Sequence, residues 1–515
     1  MSAPNVGFIH PQLSLLTGQY ELIKDCLKGQ SAIKAKGKTY LPQPNPDDSS
    51  TANTARYEAY KHRAVYYNVP RRTLQGLVGQ VFSRAPVVET PAKLEPILED
   101  ATGSGVTLTH EARRLLGYAL AYSRGGMLVD YPDTGENGAS LLDIQTGKAR
   151  PTLTTYSPLE IINWRTFNDG ARTRLSLVVL AEAYPFSDDG FEMKTACQYR
   201  VLRLVPTQGG GYRYEVTIWR SDSPQEWGGD GFPPKTVENR YDVKVTVYPK
   251  DATGKYLEDI PFLFVGSENN DSNVDNPSFT DICSLAVAHY RNSADYEESS
   301  FQMGQPTFWF SGIDENYLKN VLKGKIQLGA MGGVPLPEGG NAGVLIAPAN
   351  SQPFEAMQLK ESQMVALGAK LVEQKSVQRT ATEAKQDEAA DTSILATCAK
   401  NVSEVIKAAL KWCCVFTGDD DSNIKFDLNS DFDISRLSSE ERAELIAEFN
   451  NGLLSFSEVR DALRKSGIAT LNVDDARNEI NADADAKQER ALKAAQAQAT
   501  IVGNNDKTNS DNEHK

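Results

Sequence analysis

Long apolar runs, cysteine and histidine are all scarce in this 515-residue sequence. The longest apolar runs, at 175–181 and 344–349, are far shorter than the ~18–20 residues of a membrane span, so no membrane partner is expected. The opening residues, MSAPNVGFIHPQL, lack a basic segment followed by an apolar one, so a secretory signal is not expected. Six cysteines, two of them adjacent, do not form a disulfide framework and favour a reducing compartment.

Recognisable catalytic and metal-binding patterns are also missing. The GKT triplet at 37–39 resembles the end of a phosphate loop, but Ala32 stands where that loop requires glycine. The GDDDSN segment at 418–423 has the oxygen spacing of a calcium loop, but Ile424 occupies the glycine position. The five histidines have no metal-ligand spacing. We therefore predict that the chain is not an enzyme and has no cofactor and no metal site.

Positive charge is in deficit. The chain has 68 acidic and 54 basic residues, for a formal net charge of −14. A protein that binds nucleic acid by releasing counterions is normally basic, so that class is excluded for the chain as a whole. An acidic wall could still surround a polyanion without gripping it, because like charges repel and leave the polyanion mobile.

The length and the pattern of apolar residues predict an α+β protein with more than one domain, since one core rarely exceeds roughly 250–300 residues. Residues 1–90 read as helical and residues 127–264 as mainly strands. A helix is predicted at 280–303, a Gly-rich mixed insert at 304–353, a helix at 354–375, a polar stretch at 376–386 and a long helix at 389–416. Beyond the break at 418–423, helices are predicted at 438–450 and 457–465. The strands are predicted at 175–183, 197–204, 212–219, 241–248 and 262–265, with a hairpin loop at 206–211.

Some local details are predicted as well. A helix over 54–82 should be interrupted by Pro70, and Thr109 should cap a helix that the Gly-Gly pair at 125–126 ends. The Cys-Cys pair at 413–414 lies on an amphipathic helix, so at most one of the two should face the core.

Several segments carry a family resemblance. They read RTLQGLVGQVFSRAP (72–86), HYRNSADYEES (289–299), GQPTFWFSG (304–312), TEAKQDEAADTSILATCAKNVSEVIKAALKW (382–412) and NSDFDISRLSSEERAELIAEFNNG (429–452). Together they resemble portal proteins of tailed bacteriophages, and the nearest group is a portal-like family long listed as a domain of unknown function. The resemblance covers about residues 55–480 and is an overall pattern, with no catalytic signature.

The resemblance implies a portal-type fold, with a wing of mixed β-structure and helices, a two-helix stem, a small α/β clip and a helical crown. The implied boundaries are an N-terminal wing at 1–279, stem helices at 280–303 and 354–376, a clip at 304–353, a tunnel loop at 377–388, a wing helix with linker at 389–423, a crown at 424–500 and a disordered tail at 501–515. The insert at 304–353 is too small to bury a good core alone, so neighbouring subunits should complete it.

The resemblance also implies a function. Portal proteins form a ring of about twelve copies at one capsid vertex of the virion, assembled in the host cytoplasm, and double-stranded DNA passes through the ring non-specifically during packaging and ejection. The implied partners are the terminase large subunit, head-tail adaptor proteins, and the major capsid and scaffolding proteins. Two alternatives remain open: another virion structural protein, such as a tail-hub or minor head protein, and an intracellular hydrolase with unrecognised carboxylates.

The candidate site residues fall into three groups. The tunnel-loop candidates for DNA contact are Lys375, Gln378, Arg379, Thr380, Glu383, Lys385 and Gln386. The clip candidates for docking partners are Asp314, Glu315, Lys319, Lys323 and Lys325. The stem-packing candidates, on helical stripes, are Ile282, Leu285, His289, Tyr296, Met364, Leu367 and Leu371, with His289 predicted as a packed histidine.

Overall fold

The computed structural model divides the chain into two compact units, residues 1–430 and 431–515. Both units mix described and undescribed stretches. The structure describes residues 5–131, 149–228, 233, 241–305, 307–323, 326, 334–345, 351–370, 393–430, 439–465, 469, 471, 473 and 475–482.

The first unit opens with a series of helices, several of which begin at a residue whose side chain caps the helix. They are α1 (Pro11–Lys28), α2 (Gln30–Ala35), α3 (Thr51–Arg63), α4 (Val69–Val81), α5 (Glu95–Glu99) and α6 (Leu108–Tyr122). The side chain of Ser50 caps α3 and that of Asn68 caps α4. Leu13, Tyr20 and Ile23 of α1 are fully buried, as their spacing predicts.

Three local predictions in this region were wrong. Pro70 does not interrupt a helix but lies in the first turn of α4, where its missing N–H costs nothing; the break falls at 64–68 instead. Thr107, not Thr109, caps α6, because its hydroxyl accepts from the backbone N–H of His110. The helix ends at Ser123, which adopts a left-handed conformation with φ of 54°.

Two antiparallel sheets follow. A three-stranded sheet has the order β3-β2-β9, and a five-stranded sheet has the order β4-β5-β6-β7-β8. The strands are β1 (Val87–Glu89), β2 (Arg124–Asp130), β3 (Thr152–Tyr156), β4 (Ile161–Asp169), β5 (Arg172–Asp188), β6 (Met193–Pro206), β7 (Tyr212–Ser221), β8 (Tyr241–Val247) and β9 (Phe262–Gly266). The five predicted strands are confirmed, and so is the hairpin loop, in which the N–H of Thr207 donates to the carbonyl of Gly211.

The Gly-Gly pair lies inside β2 and does not end α6. A Cβ on Gly126 would lie 2.3 Å from the ring of Phe262 and 2.9 Å from Ile161, so only glycine fits this close approach. Gly126 lies in β2, the central strand of the three-stranded sheet, and its lack of a side chain lets Phe262 and Ile161 pack against the backbone there.

A partly buried polar network joins the two sheets. Glu182 of β5 accepts hydrogen bonds from the Tyr156 hydroxyl of β3 at 2.6 Å and from Arg200 of β6 at 2.7 Å. Arg200 also lies 3.1 Å from Asp130 of β2. Burial raises the pKa of Asp130, while Arg200 partly opposes that rise. Because every one of these side chains is paired, the network fixes one sheet against the other.

The later elements of the first unit are α7 (Thr280–Met303), β10 (Thr307–Ser311), α8 (Glu315–Asn320), β11 (Asn341–Leu345), α9 (Gln352–Lys370), α10 (Ile394–Thr417) and β12 (Lys425–Asp427). Helix α10 lies at the centre of the unit, against α6, β9 and β12. Both Cys413 and Cys414 are buried, so the prediction that at most one faces the core was wrong. A helix packed on several sides buries more than one stripe.

Strand β12 pairs with β1 near the other end of the chain, with Phe426 opposite Val88. Residues 424–430 therefore belong to the first unit, and the helical C-terminal part that the sequence predicts from residue 424 starts further along the chain.

The second unit contains α11 (Ser439–Asn450) and α12 (Phe456–Lys465), as predicted. Ser455 caps α12. Its hydroxyl accepts from the N–H of Glu458, and the Glu458 carboxylate accepts from the N–H of Ser455, which is a capping box. The rings of Phe449 and Phe456 lie 6.5 Å apart and hold the two helices together.

Candidate functional site

Helices α7 and α9, which flank the insert, pack against each other. His289 Nε2 lies 3.0 Å from Glu361, Lys360 donates to Asn292 at 2.6 Å, and the ring of Tyr296 lies 5.8 Å from that of Phe354. As the residue number rises along α7, the partner number falls along α9, so the two helices are antiparallel. His289 is almost fully buried.

Helix α7 buries more of its surface than the predicted stripe. Ile282 is buried and Leu285 and Tyr296 are half-buried, as part of that stripe. The sequence reasoning missed the buried Cys283, Ala286, Val287, Tyr290 and Ala294. They are buried because α1, α3 and α4 also pack on α7. Small residues between the larger apolar ones were the signal that could have revealed a helix surrounded on several sides.

Helix α9 has one buried side only. Met364 is fully buried and Leu367 is half-buried, as predicted, while Leu371 lies outside the described residues. Elsewhere on the helix, Leu359 is 61% exposed and Val365 is 66% exposed. Apolar side chains left in water on an amphipathic helix mark a surface for further packing.

Helix α7 is also tied to α3. The Tyr60 hydroxyl donates to Asp295 at 2.7 Å, and Arg63 pairs with Glu298 while stacking 4.2 Å from the ring of Phe301. Burial and the bond to Asp295 raise the pKa of Tyr60. Tyr60, Asp295 and Glu298 line a cavity of about 350 Å³ between the two helices.

Arg124 organises the loop that leads into α7, and no sequence signal pointed to it. Its guanidinium lies between the rings of Trp164 and Phe264, at 4.1 and 4.3 Å, and donates to the carbonyls of Ser272 and Asn273. Burial lowers its pKa to about 10, which still leaves it charged at neutral pH. A buried cation held by two rings and two carbonyls fixes where α7 begins.

In the insert between α7 and α9, β10 and β11 form a two-stranded antiparallel sheet, with Phe308 opposite Val344 and Trp309 opposite Gly343. Among its described residues almost all of the apolar side chains are exposed or half-buried, and Leu345 is 68% exposed. The insert therefore has little core of its own.

The clip candidates lie on or beside helix α8 of this insert. Asp314 caps α8 by accepting from the N–H of Tyr317 at 2.6 Å, so its first role is structural. Glu315 and Lys319 form an exposed pair at 3.5 Å. Lys323 adopts a left-handed conformation with φ of 51°, and Lys325 lies outside the described residues.

The tunnel-loop candidates all lie outside the described residues and stay predictions. They are Lys375, Gln378, Arg379, Thr380, Glu383, Lys385 and Gln386. The structure describes the two ends of this stretch. A Cβ on Gly368 in α9 would lie 3.1 Å from Thr73 of α4, and Ser393 caps α10 by accepting from the N–H of Ala396.

Two further properties concern the described residues only. No three His, Cys, Asp or Glu side chains come together there as metal ligands would. None of the described helices has both the length and the apolar character that crossing a membrane requires.

Comparisons with known proteins give one family match. Residues 278–417 match the model of a family described as a domain of unknown function, DUF4055. The matched stretch starts two residues before α7 and ends at the last residue of α10, so it spans the two paired helices, the insert and the buried central helix.

Among solved structures, the chain is similar to a chain in the neck of a native GTA particle computed with C12 symmetry, with 14% sequence identity, 77% of this chain and 89% of that chain covered, and a TM-score of 0.37. No curated protein matches this chain.

Proposed function

We propose that this chain is a portal protein of a tailed-phage-like particle, a ring component of the virion through which double-stranded DNA enters and leaves the capsid. The observation that carries the proposal is the antiparallel pairing of α7 and α9 around a small insert. The family match over 278–417 covers this same unit, and the sequence resemblance to portal proteins supports it. The paired helices would be the stem and the insert would be the clip.

Exposed apolar side chains on the proposed stem provide a surface on which neighbouring subunits could pack. Leu359 and Val365 of α9 are exposed to water, and the insert that contains β10 and β11 has little core of its own. In a head-to-tail ring, the next subunit would cover such surfaces. Interfaces of this heterologous kind give a closed ring when the rotation from one subunit to the next is a whole-number fraction of 360°.

The negative net charge of the chain is compatible with a channel that does not bind DNA tightly. About twelve copies, each with a formal charge of −14, would surround the DNA with repulsion, and only scattered basic groups would touch phosphate. We place those groups in the segment between α9 and α10, at Arg379 and Lys385. The clip would face the terminase and later the adaptors, and ATP hydrolysis would belong to the terminase.

The test of the ring is assembly. Native mass spectrometry of the purified protein should show a closed oligomer of about twelve subunits. Replacing the half-buried Leu285 with Asp should reduce ring formation, because a carboxylate would be placed in the α7 interface. A stable monomer at high concentration and physiological salt would contradict the proposal.

The test of the channel uses charge reversal. Changing Arg379 and Lys385 to Glu should leave assembly intact and alter the length or retention of packaged DNA. Unchanged packaging would remove these two residues from the proposal and leave the ring itself standing.

A further inference from the structure

The β5–β6 hairpin extends beyond the rest of its sheet. Strand β4 pairs with β5 only as far as Leu180, and β7 pairs with β6 only from Gln198 onward. Past these points β5 and β6 continue to pair with each other, out to Asp188 opposite Met193. The arm ends in the hairpin tip, residues 188–193, where Phe191 is fully exposed and Met193 is 59% exposed.

The hairpin tip has a rigid, negatively charged frame around its apolar side chains. Asp189 accepts from the N–H groups of Phe191 and Glu192, at 2.9 and 2.6 Å, and Asp188 accepts from that of Gly190. These bonds hold the pKa of Asp189 below its usual value, so the carboxylate is charged at neutral pH. Lys194 lies 3.8 Å from Glu192 and offsets only part of the negative charge. A preformed aromatic tip of this kind has the form of an interface anchor.

Helix α4 offers a surface of opposite character. Its exposed half, which we term the basic face, consists of Arg71, Arg72, Gln75, Gly76, Gly79 and Gln80. Neither arginine has an ion-pair partner in the part of the chain that the structure describes. A Cβ on Gly76 or Gly79 would meet nothing within 4 Å, so the two glycines leave a shallow gap on the helix surface. In a chain with net charge −14, a helix face with no carboxylate stands out.

We propose that the hairpin tip of one copy docks on the basic face of the next copy. Phe191 would lie over Gly76 and Gly79. The carboxylates of the hairpin tip would lie against Arg71 and Arg72. This inference rests on the proposed ring, for which it supplies one contact. A head-to-tail ring requires two dissimilar surfaces on the same chain, and these two match in charge and shape.

Duplex DNA is the rival occupant of the basic face, since arginine and glutamine also bind phosphate. DNA would leave Phe191 uncovered, because the three carboxylates of the hairpin tip would repel it. Docking of a second copy accounts for both surfaces, and we therefore favour it.

Photo-crosslinking tests the contact directly. A benzoylphenylalanine placed at Phe191 of the full-length protein should join two copies, and the linked peptide should contain residues 69–81. The same group at Leu15, which is also highly exposed, serves as the control and should not link to that peptide. Links to other peptides only, or no links within assembled rings, would overturn the inference while leaving the ring proposal intact.

Charge reversal separates the contact from general damage to the fold. Glu192→Arg or Arg72→Glu alone should lower the yield of the specific crosslink by roughly tenfold, and the two changes together should restore most of it. Failure of the double variant to recover would overturn the pairing. So would a basic face that crosslinks to added duplex DNA in place of the second copy. A protein that never assembles would instead refute the proposed function.

Discussion

Truncating Met364 should loosen the pair of helices that carries the proposed function. Its side chain is fully buried, one turn from Glu361, which contacts His289 of α7, and Met364→Ala would leave a cavity there. Such truncations cost about 2–5 kcal/mol, and the one-sided burial of α9 favours the lower part of that range, about 2–3 kcal/mol. Alanine favours a helix at least as well as methionine, so the loss would come from packing.

Leu359→Ala is the matched control, because Leu359 lies on the other side of the same helix and is 61% exposed. Its truncation should change local stability by no more than about 0.5 kcal/mol. A chain with two units need not unfold in one step, so a single melting temperature would not isolate the effect.

Hydrogen exchange read by mass spectrometry gives the local measurement. Peptides from 280–303 and 352–370 should exchange roughly 30- to 150-fold faster in Met364→Ala, since about 1.4 kcal/mol corresponds to a factor of ten. They should change little in Leu359→Ala. Equal effects of the two variants, or an effect of Met364→Ala confined to α9, would refute the packing of α9 on α7.

Other features of the structure give three further predictions. Gly126→Ala should lower the free energy of unfolding of the first unit by about 1–3 kcal/mol or more, because its new methyl group would collide with Phe262, whereas Gly117→Ala, in open space on α6, should raise it by up to about 1 kcal/mol; calorimetry should show the transition of the first unit shifted in opposite directions in the two variants. Arg124→Met should leave two loop carbonyls unpaired and speed hydrogen exchange at 266–278, at a cost of about 2 kcal/mol, and unchanged exchange would contradict its role. All six cysteines are buried, and burial raises the pKa of Cys398 to about 12, so a thiol reagent at pH 8 should label almost none of them until the protein is denatured; rapid labelling of the native protein would contradict this.

Elements with strong periodicity could be predicted from the sequence. Helix α7 lies at 280–303 in both the prediction and the structure, and α9 was predicted to start only two residues late. Strands β5, β6 and β7 followed from segments rich in β-branched and aromatic residues, and the β6–β7 hairpin followed from the turn-forming segment at 206–211. In these elements local propensity and tertiary packing agree.

Features that depend on distant parts of the chain could not be predicted. Arg124 contacts residues about 40 and 140 positions away, and no short window reveals that two rings and two carbonyls will surround it. Both Cys413 and Cys414 are buried because α10 is enclosed on several sides, which a single helical stripe does not indicate. On α9, by contrast, the predicted positions Met364 and Leu367 are among the buried or half-buried ones, since a helix packed on one side buries a single stripe, which the apolar period indicates.

Imaging of the purified full-length protein by electron microscopy tests the central claim most directly. We expect rings of about twelve subunits with an axial opening wide enough for a DNA duplex, and with α7 and α9 side by side around that opening. Monomeric particles without an opening, or a map in which residues 280–303 and 352–370 are separated, would contradict the claim.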